Sequence, residues 1–396
     1  MFEELDDIPW DRLTHAYGNA GDVPGFLRGL QDGSEETRME ALSSLFSNIL
    51  HQGTVYEATS FAVPFLVEIV CDSTTRGAVL SLLQEIASGW LHCQEYAATA
   101  RPVAPDVAER WARERVHYQA AHEAVARTRL HLLPLLGDPV PDVRIGAAFV
   151  LSALPGERAE GAAALLEAID QETHDSSRAG LIFALFELTQ RAAPDRVTAT
   201  VSRRFQEILR SDGDGPDSRL AAGIALMRLG DSDAIDETLA LARPRLVVDR
   251  DHFLRLPWEK TMELFSLIEG SLTSWTDLQI AWIAEGLRSS DPDLVDRAIS
   301  SAVRLCERRR WGPSRMAPLL FKVAEGFGGT IQDRAVIGLR SLGRVGIEHL
   351  ERLHGRSSEL DRKIAASLDR VRTDHTFRAG RWTTKLATAL FRRFRH

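Results

Sequence analysis

Cysteine is scarce in this chain, and no long hydrophobic run is present. The three cysteines, Cys71, Cys93 and Cys306, are far apart and odd in number among 396 residues. They form neither a disulfide framework nor a zinc-binding pattern, which indicates a reducing cytoplasm. No segment approaches the run of about 18 apolar residues that is typical of a transmembrane helix. The N-terminal residues, MFEELDDIPW, are acidic and lack the basic start and apolar stretch of a secretory signal.

Local catalytic and metal-binding motifs are also missing. His117 and His122 are five residues apart, so on a helix they point about 140° away from each other and cannot share a metal. The acidic segment 212–217 is followed by Gly223 where a calcium loop needs its final glutamate. The glycines of 325–330 lack the lysine of a phosphate-binding loop. From local motifs we predict no catalytic residue, metal or cofactor. An active site assembled from distant segments would show no local motif, so an enzyme is not excluded.

What recurs is an acidic or turn residue followed by an arginine on an alanine- and leucine-rich segment, as in DVRIGAAFVL and DSRLAAGIAL. The six clearest copies contain Arg144, Arg178, Arg219, Arg297, Arg334 and Arg362. Four of their spacings fall between 28 and 41 residues. A helix pair of this length cannot bury its apolar face alone, so it must stack on its neighbours. The pattern therefore predicts an all-α fold, an α-solenoid of stacked antiparallel helix pairs in one continuous array.

These copies resemble HEAT repeats, the armadillo-like helix pairs of α-solenoid proteins, from about Asp22 to Val371. The resemblance implies a right-handed solenoid in which a turn aspartate and a helix arginine form a hydrogen-bonded ladder between units. The matching positions are Asp142 with Arg144, Asp217 with Arg219, Asp333 with Arg334, and the arginines Arg178, Arg297 and Arg362. The stretch 46–70 is similar to a segment common in bacterial, especially actinobacterial, HEAT-repeat proteins of unassigned role. That similarity implies a helical binding surface.

The sequence divides into three parts. Residues 1–21 form an N-terminal leader, 22–377 form the solenoid with an extra segment at about 90–118, and 378–396 form a basic amphipathic tail. In the tail, Trp382, Leu386, Leu390 and Phe394 recur every four residues between basic side chains. This apolar stripe either covers the last repeat, as an open-ended solenoid requires, or binds an anionic membrane surface. Capping is the favoured interpretation.

Two segments carry candidate residues for partner binding. A polar loop between two predicted helices contains Asn48, His51, Gln52, Thr54 and Tyr56, and the extra segment contains Trp90, Tyr96, Arg101, Arg110, Trp111, Arg113 and Tyr118. Mixed aromatic and arginine side chains are enriched at protein interfaces. The alternative for the loop is that its polar groups cap helix ends while its rings pack, and this is favoured. The alternative for the extra segment is a lengthened helix pair with a solvated face.

The net charge of the chain favours a basic protein over a nucleic acid as its partner. The formal net charge is −8, and the tail after Asp374 carries six lysines and arginines and no acid, so the rest of the chain is more acidic still. Such a body repels nucleic acid unless basic residues are segregated on one face. The leading hypothesis is a cytoplasmic, non-catalytic scaffold or adaptor that presents the concave surface of its inner helices to a basic protein, with an inhibitory or immunity-type role as one form of it.

Two other functions stay open. One is an enzyme on the same architecture, since alkylpurine DNA glycosylases and phycobilin lyases are built on HEAT-like repeats. Its cluster would be Trp258, Trp275 and Trp282 with the carboxylate of Asp277. The favoured explanation of these tryptophans is helix packing. The other is a peripheral membrane adaptor that uses residues 378–396.

Overall fold

The computed structural model describes residues 2–32, 34–72, 75–99, 105–154, 158–190, 195–246, 264–274, 276–308, 313–342, 344–353 and 356–373. These residues are predominantly α-helical and divide into two compact units. Unit 1 holds the helices up to Leu241, and unit 2 holds those from Leu264 onward.

Unit 1 begins with a 3₁₀ turn at Phe2–Asp7 and another at Trp10–Arg12. Its helices are α1 (Val23–Asp32), α2 (Glu35–Asn48), α3 (Glu57–Asp72), α4 (Arg76–Thr99), α5 (Pro105–Arg127), α6 (Arg129–Leu132), α7 (Pro141–Ser152), α8 (Arg158–Gln171), α9 (Asp175–Gln190), α10 (Arg196–Arg210), α11 (Pro216–Arg228) and α12 (Ile235–Ala242). The described residues of this unit also form two antiparallel hairpins, one before α1 and one between α2 and α3. Strand β1 (Thr14–His15) pairs with β2 (Gly18–Asn19), and β3 (Leu50–His51) pairs with β4 (Thr54–Val55).

Unit 2 contains the seven helices α13 (Leu264–Ser271), α14 (Thr276–Gly286), α15 (Pro292–Arg308), α16 (Pro313–Gly326), α17 (Gly329–Ser341), α18 (Arg344–Arg352) and α19 (Ser358–Thr373) among its described residues. Helix α15 packs on α17 and α17 packs on α19, while α16 packs on both α17 and α18. The helices of this unit therefore also stack as neighbouring pairs.

The helices of unit 1 form two layers. One layer contains α1, α3 and α5, followed by α8 and α10, and the other, here called layer B, contains α2, α4, α7, α9 and α11. Each layer B helix packs on the next, from α2·α4 through α4·α7 and α7·α9 to α9·α11. Helices α7, α9 and α11 are buried along most of their length, as expected for helices with neighbours on several sides. The predicted all-α solenoid class is confirmed.

Close approach within layer B depends on glycine. A Cβ added at Gly180 of α9 would lie 3.1 Å from the side chain of Ile145 on α7. One added at Gly146 of α7 would lie 2.9 Å from Leu80 on α4. Larger residues at these positions would force neighbouring helices apart, and a packed core resists such overfilling.

A recurring arginine contact joins consecutive helices of unit 1 into pairs. An arginine in the first turn of a layer B helix donates from Nε to a carbonyl near the C-terminus of the helix before it. The three instances are Arg76 to Val70 at 2.6 Å, Arg178 to Ile169 at 2.9 Å and Arg219 to Leu209 at 2.9 Å. The carbonyls at a helix end lack partners inside the helix and carry partial negative charge, so a guanidinium suits them.

The guanidinium groups of these three arginines, and that of Arg144 on α7, also bind acids that follow in the chain. Arg76 pairs with Asp138, and Arg178 pairs with Asp214. Arg144 pairs with Glu172 at 2.6 Å, and Arg219 with Glu237 at 2.9 Å. Each arginine therefore links the helix pair that contains it to the next pair.

The acids in these contacts are not the ones beside the arginines in sequence. Asp142 and Asp217 occupy the first turns of α7 and α11, two residues before Arg144 and Arg219. Residues two apart on a helix do not face each other, so each of these aspartates is poorly placed to contact the arginine that follows it. Asp175, in the first turn of α9, instead accepts hydrogen bonds from the backbone N–H of Asp217 at 2.7 Å and thereby caps α11.

The arginines of unit 2 make different contacts. Arg334 of α17 binds Asp296 and Ser300, which precede it on α15. Its neighbour Asp333 pairs with Lys363 of α19 at 2.9 Å. Arg362 donates from Nε to the carbonyl of Ser358 within its own helix, at 3.4 Å. Arg297 lies on α15.

Candidate functional site

The polar loop that the sequence singled out is a tight β-hairpin. His51 pairs with Thr54, and Gln52 and Gly53 form the two-residue connection. Their φ angles are +52° and +83°, as a type I′ turn requires at both positions. Gly53 adopts this conformation freely, but Gln52 is the one described non-glycine residue with positive φ. Left-handed backbone at such a residue is strained, and strain of this kind concentrates at functional sites.

A second hairpin brings an exposed tyrosine to the first. The backbone N–H of Ala16 donates to the carbonyl of Asn48 at 2.9 Å, which ties β1–β2 to the end of α2. Tyr17 follows at the hairpin tip and is 67% exposed. Its ring meets the His51 ring edge-on at 5.5 Å, and its hydroxyl lies 3.4 Å from His51 Nδ1. Tyr17 and His51 thus form a joint aromatic and polar surface.

Buried polar groups support this surface from below. Backbone N–H of Tyr17 donates to Nδ1 of buried His15 at 3.0 Å, so His15 carries its proton on Nε2. That Nε2–H donates to Asp22 Oδ1 at 2.9 Å, and Asn48 donates to Asp22 Oδ2 at 3.4 Å. Asn48 is only 8% exposed. It is therefore a supporting residue of the hairpins and lies beneath the surface.

The base of the β3–β4 hairpin is fixed by the start of α3. Thr59, fully buried, donates from its hydroxyl to the carbonyl of Ile49 at 2.6 Å. The same hydroxyl accepts from the backbone N–H of Tyr56 at 2.9 Å. These bonds fix β3 and β4 relative to the start of α3, so the exposed residues of the hairpin are positioned before a partner binds.

The extra segment meets the hairpin through Tyr118. Its hydroxyl donates to the carbonyl of Gly53 at 2.8 Å. Its ring lies against Gly89 of α4, where an added Cβ would be 2.9 Å from the ring. Two segments that the sequence marked independently are therefore in direct contact. They form one surface, here called the hairpin surface, whose described members are Tyr17, His51, Gln52, Thr54, Tyr56 and Tyr118.

The electrostatics of this surface are visible at Tyr56. Burial raises the pKa of its phenol above the ordinary value, and the negative charge of Glu114 on α5 raises it further, followed by Tyr17. Tyr56 therefore stays a neutral hydrogen-bond donor at physiological pH. A neutral phenol beside exposed rings suits recognition of another protein.

The other predicted residues of the extra segment are placed only in part. Trp90 and Tyr96 lie within α4, and Arg110, Trp111 and Arg113 lie within α5, but their side chains are outside the described residues. Arg101 also lies outside them. The segment consists of the C-terminal half of α4 and the N-terminal half of α5, two helices of 24 and 23 residues that are longer than α7 with 12.

Sequence reasoning missed Tyr17, His15 and Asp22. The available signal was the turn sequence HAYGNAGD, in which Gly18 has φ +120° and allows the chain to reverse beside an aromatic residue. It also missed Arg158, which begins α8 and donates to Thr198 Oγ1 of α10 at 2.7 Å and to the carbonyls that end α9. Its position at a helix start outside the alanine-rich pattern concealed it.

The tryptophan and carboxylate cluster considered for an enzyme is not assembled by its described members. Trp282 is 2% exposed, stacks on Phe265 at 5.8 Å and donates to its carbonyl at 3.2 Å. Asp277 is exposed and pairs with Arg315 at 2.6 Å. Trp258 and Trp275 lie outside the described residues. Trp282 is therefore a core residue of unit 2, which is the packing role favoured from the sequence.

The described residues contain neither a metal-binding cluster nor a membrane-spanning helix. No group of three or more histidine, cysteine, aspartate and glutamate side chains there is arranged to hold a metal ion. No described helix combines the length and the apolar character needed to cross a bilayer. Residues 378–396, which carry the cap and membrane hypotheses, are outside the described part of the chain, so both hypotheses stay predictions.

No protein-family model matches the chain, and no curated protein matches it either. Among solved structures, an engineered protein is 15% identical, with 95% of this chain and 99% of that chain covered and a TM-score of 0.32. A C-terminal fragment of the cohesin loader SCC2 of Chaetomium thermophilum is 10% identical, with 94% and 32% covered and a TM-score of 0.36. Similarities this low do not identify a function or a family for this chain. The HEAT-like character of the chain therefore stands on its repeated residues and stacked helix pairs.

Proposed function

We propose that this chain is a non-catalytic, cytoplasmic scaffold or adaptor that binds a basic protein partner, with an inhibitory or immunity-type role if that partner is an enzyme or toxin. The hairpin surface is where the partner binds. The observation that carries the proposal is the meeting of the two independently marked segments at Tyr118 and Gly53, beside the exposed Tyr17.

The chemistry of the hairpin surface supports protein recognition more than catalysis. Tyrosine supplies large rigid contact area at low entropic cost and is enriched where binding energy concentrates. His15, the histidine with a carboxylate partner here, is 7% exposed and holds the β1–β2 hairpin through Nδ1, so it is not presented to a substrate. The hairpins are short, and each is anchored by hydrogen bonds to helical segments.

Affinity purification from native cells, with quantitative mass spectrometry, tests the proposal. The tagged wild-type chain is compared with Tyr17→Ala and with the control Leu130→Ala, which removes a similarly exposed apolar side chain from α6 of the same unit. We expect a stoichiometric, basic protein with the wild type and the control, and at least a fivefold lower recovery with Tyr17→Ala, about 1 kcal/mol.

Two results would contradict the proposal. One is the absence of any stoichiometric protein across several growth conditions. The other is equal loss of the partner with Tyr17→Ala and Leu130→Ala, which would show that the hairpin surface has no special role.

A further inference from the structure

A separate groove lies between α3 and α5, the helix that also carries Tyr118 of the hairpin surface. An open cavity of about 630 Å³ is lined by residues of α3, α5 and the 3₁₀ turn at Phe2–Asp7. Its apolar floor is formed by Ile8, Phe61, Pro64 and Phe65, and Phe61 is 41% exposed. The volume falls within the range of about 300–1,000 Å³ that is typical of ligand pockets.

The wall formed by the 3₁₀ turn is held firmly in place. Leu5 is completely buried, and its carbonyl accepts a hydrogen bond from the indole of buried Trp10 at 2.8 Å. The Phe2 ring packs edge-on against Phe65 of α3 at 5.5 Å. Asp6 accepts two hydrogen bonds of 2.6 Å from Arg28 of α1. The groove is therefore a preformed feature, which lowers the entropic cost of binding.

The rim of the groove is mostly acidic. Glu4 and Asp7 stand on the 3₁₀ turn and Glu123 stands on α5, while Arg127 is the cation among the lining residues. All three acids are exposed. An apolar floor below acidic edges is complementary to a helix with apolar side chains on one face and lysines or arginines beside them.

We infer that this groove binds a basic amphipathic helix of a protein partner. Apolar side chains of that helix rest on Phe61 and Pro64, and its basic side chains face Glu4, Asp7 and Glu123. The inference deepens the proposed function and rests on it, because it supplies the chemical class of the partner segment. It concerns residues other than those of the hairpin surface, so the two can fail separately.

Fluorescence anisotropy with the full-length chain tests the inference. The probe is a labelled peptide of about 15 residues, long enough to become helical when bound, with leucine and tryptophan on one face and lysine on the other. The same peptide with glutamate in place of lysine serves as the charge control. We expect the lysine peptide to bind, and to bind more weakly as salt shortens the Debye length from about 30 Å at 0.01 M to about 8 Å at 0.15 M.

A pair of double variants assigns the binding to the groove. Glu4→Lys with Asp7→Lys reverses two rim charges, and Glu36→Lys with Glu40→Lys reverses two exposed acids on α2 with the same change in net charge. Each lost ion pair in an exposed setting weakens binding by a few-fold at most, and reversal adds repulsion. We expect about tenfold weaker binding for the rim variant and less than twofold for the α2 variant.

A third variant separates the floor from the rim. Phe61→Ala removes the exposed apolar contact, keeps every charge and keeps buried Phe65 in place. We expect about fivefold weaker binding with an unchanged salt dependence. This variant also tests the inference if charge reversal on the 3₁₀ turn disturbs folding.

Three results would overturn the inference. They are equal binding of the lysine and glutamate peptides, equal weakening by the rim and α2 variants, and no binding of the lysine peptide at all. If the peptide binds as expected while no native protein depends on Tyr17, the inference for the groove is supported and the role proposed for the hairpin surface is wrong. If a native partner depends on Tyr17 but the peptide does not bind, the reverse holds.

Discussion

Within unit 1, the repeat body (helices α7 to α11) and the N-terminal face (the hairpin surface) use polar side chains in opposite ways. In the body, Arg178 and Asp214 pair with each other, and each has only 14% of its side chain exposed. At the N-terminal face, Tyr17 is 67% exposed and Gln52 holds a strained backbone at a hairpin tip. The periodic arginines hold helix pairs together, whereas Tyr17 and Gln52, which belong to no repeat, lie where another protein can reach them. Breaks in the repeat are therefore the better guide to function.

The largest expected effect comes from removing an arginine of the repeat body. Arg178→Ala leaves the Asp214 carboxylate in a largely buried site without its partner, and the Ile169 carbonyl loses its donor. Breaking a buried ion pair at one end costs about 3–5 kcal/mol. We expect a loss of about 3 kcal/mol in the free energy of opening of α8 and α9. Hydrogen exchange read by mass spectrometry measures this loss directly.

The matched control replaces both partners with apolar residues of similar size. Arg178→Met with Asp214→Leu removes the unpaired charge, and such replacements are often neutral for stability. We expect most of the lost protection to return. A double variant as unstable as Arg178→Ala would contradict the account, since the cost would then not come from the uncompensated carboxylate.

A change at the hairpin tip gives a smaller effect of the opposite sign. Gln52 has φ +52°, and a left-handed backbone costs a non-glycine residue about 1–2 kcal/mol. Gln52→Gly removes this strain but makes the unfolded chain more flexible, which costs about 0.5–1 kcal/mol. We expect stability to rise by a few tenths to about 1 kcal/mol, measured by the urea midpoint. Gly53→Ala, where φ is +83°, serves as the control and should lower it.

The same Gln52 variant separates stability from binding. If the strained glutamine is retained for recognition, partner recovery in the affinity purification falls while the hairpin becomes more stable. A more stable variant with undiminished recovery would show that Gln52 plays no part in binding.

The smallest effect concerns the pKa of Tyr56. Burial is the larger cause of its raised pKa and Glu114 the next, so Glu114→Gln should lower that pKa only part of the way toward about 10. Because the pKa is raised in the folded state, the stability that Tyr56 contributes is fully present below the unfolded pKa and is lost as pH rises toward the folded pKa. A ¹³C-tyrosine NMR titration measures the shift.

Glu123→Gln, further along α5, is the control for that titration. It should leave the Tyr56 pKa unchanged, because Glu123 is not among the charges that raise it. Equal shifts from the two variants would mean that the net charge of the chain, and not the neighbouring Glu114, sets the pKa.

The solenoid fold was predictable from the sequence because it depends on a period. Arginines such as Arg144 and Arg219 recur with alanine- and leucine-rich segments, and any helix pair of that length must stack. Their acidic partners were not predictable, because a guanidinium reaches across to another pair. Glu172 and Glu237 become neighbours of these arginines only once the pairs have packed.

The candidate site was predictable in part. The polar residues around Gly53 marked a turn, and Tyr118 marked the extra segment, but sequence does not show that a hydroxyl and a carbonyl 65 positions apart will meet. Tyr17 escaped because it is single, lies in a short hairpin and belongs to no repeat. A surface built from several loops is assembled by tertiary packing, which local patterns do not encode.

The most direct test of the central claim is site-specific photo-crosslinking in native cells. A photoreactive amino acid is placed at Tyr17 in one strain and at Thr200, an exposed residue of α10 in the repeat body, in another. The account predicts one dominant crosslinked protein of basic character from position 17 and only diffuse products from position 200. The same dominant product from both positions, or a specific product from position 200 alone, would contradict the assignment of recognition to the hairpin surface.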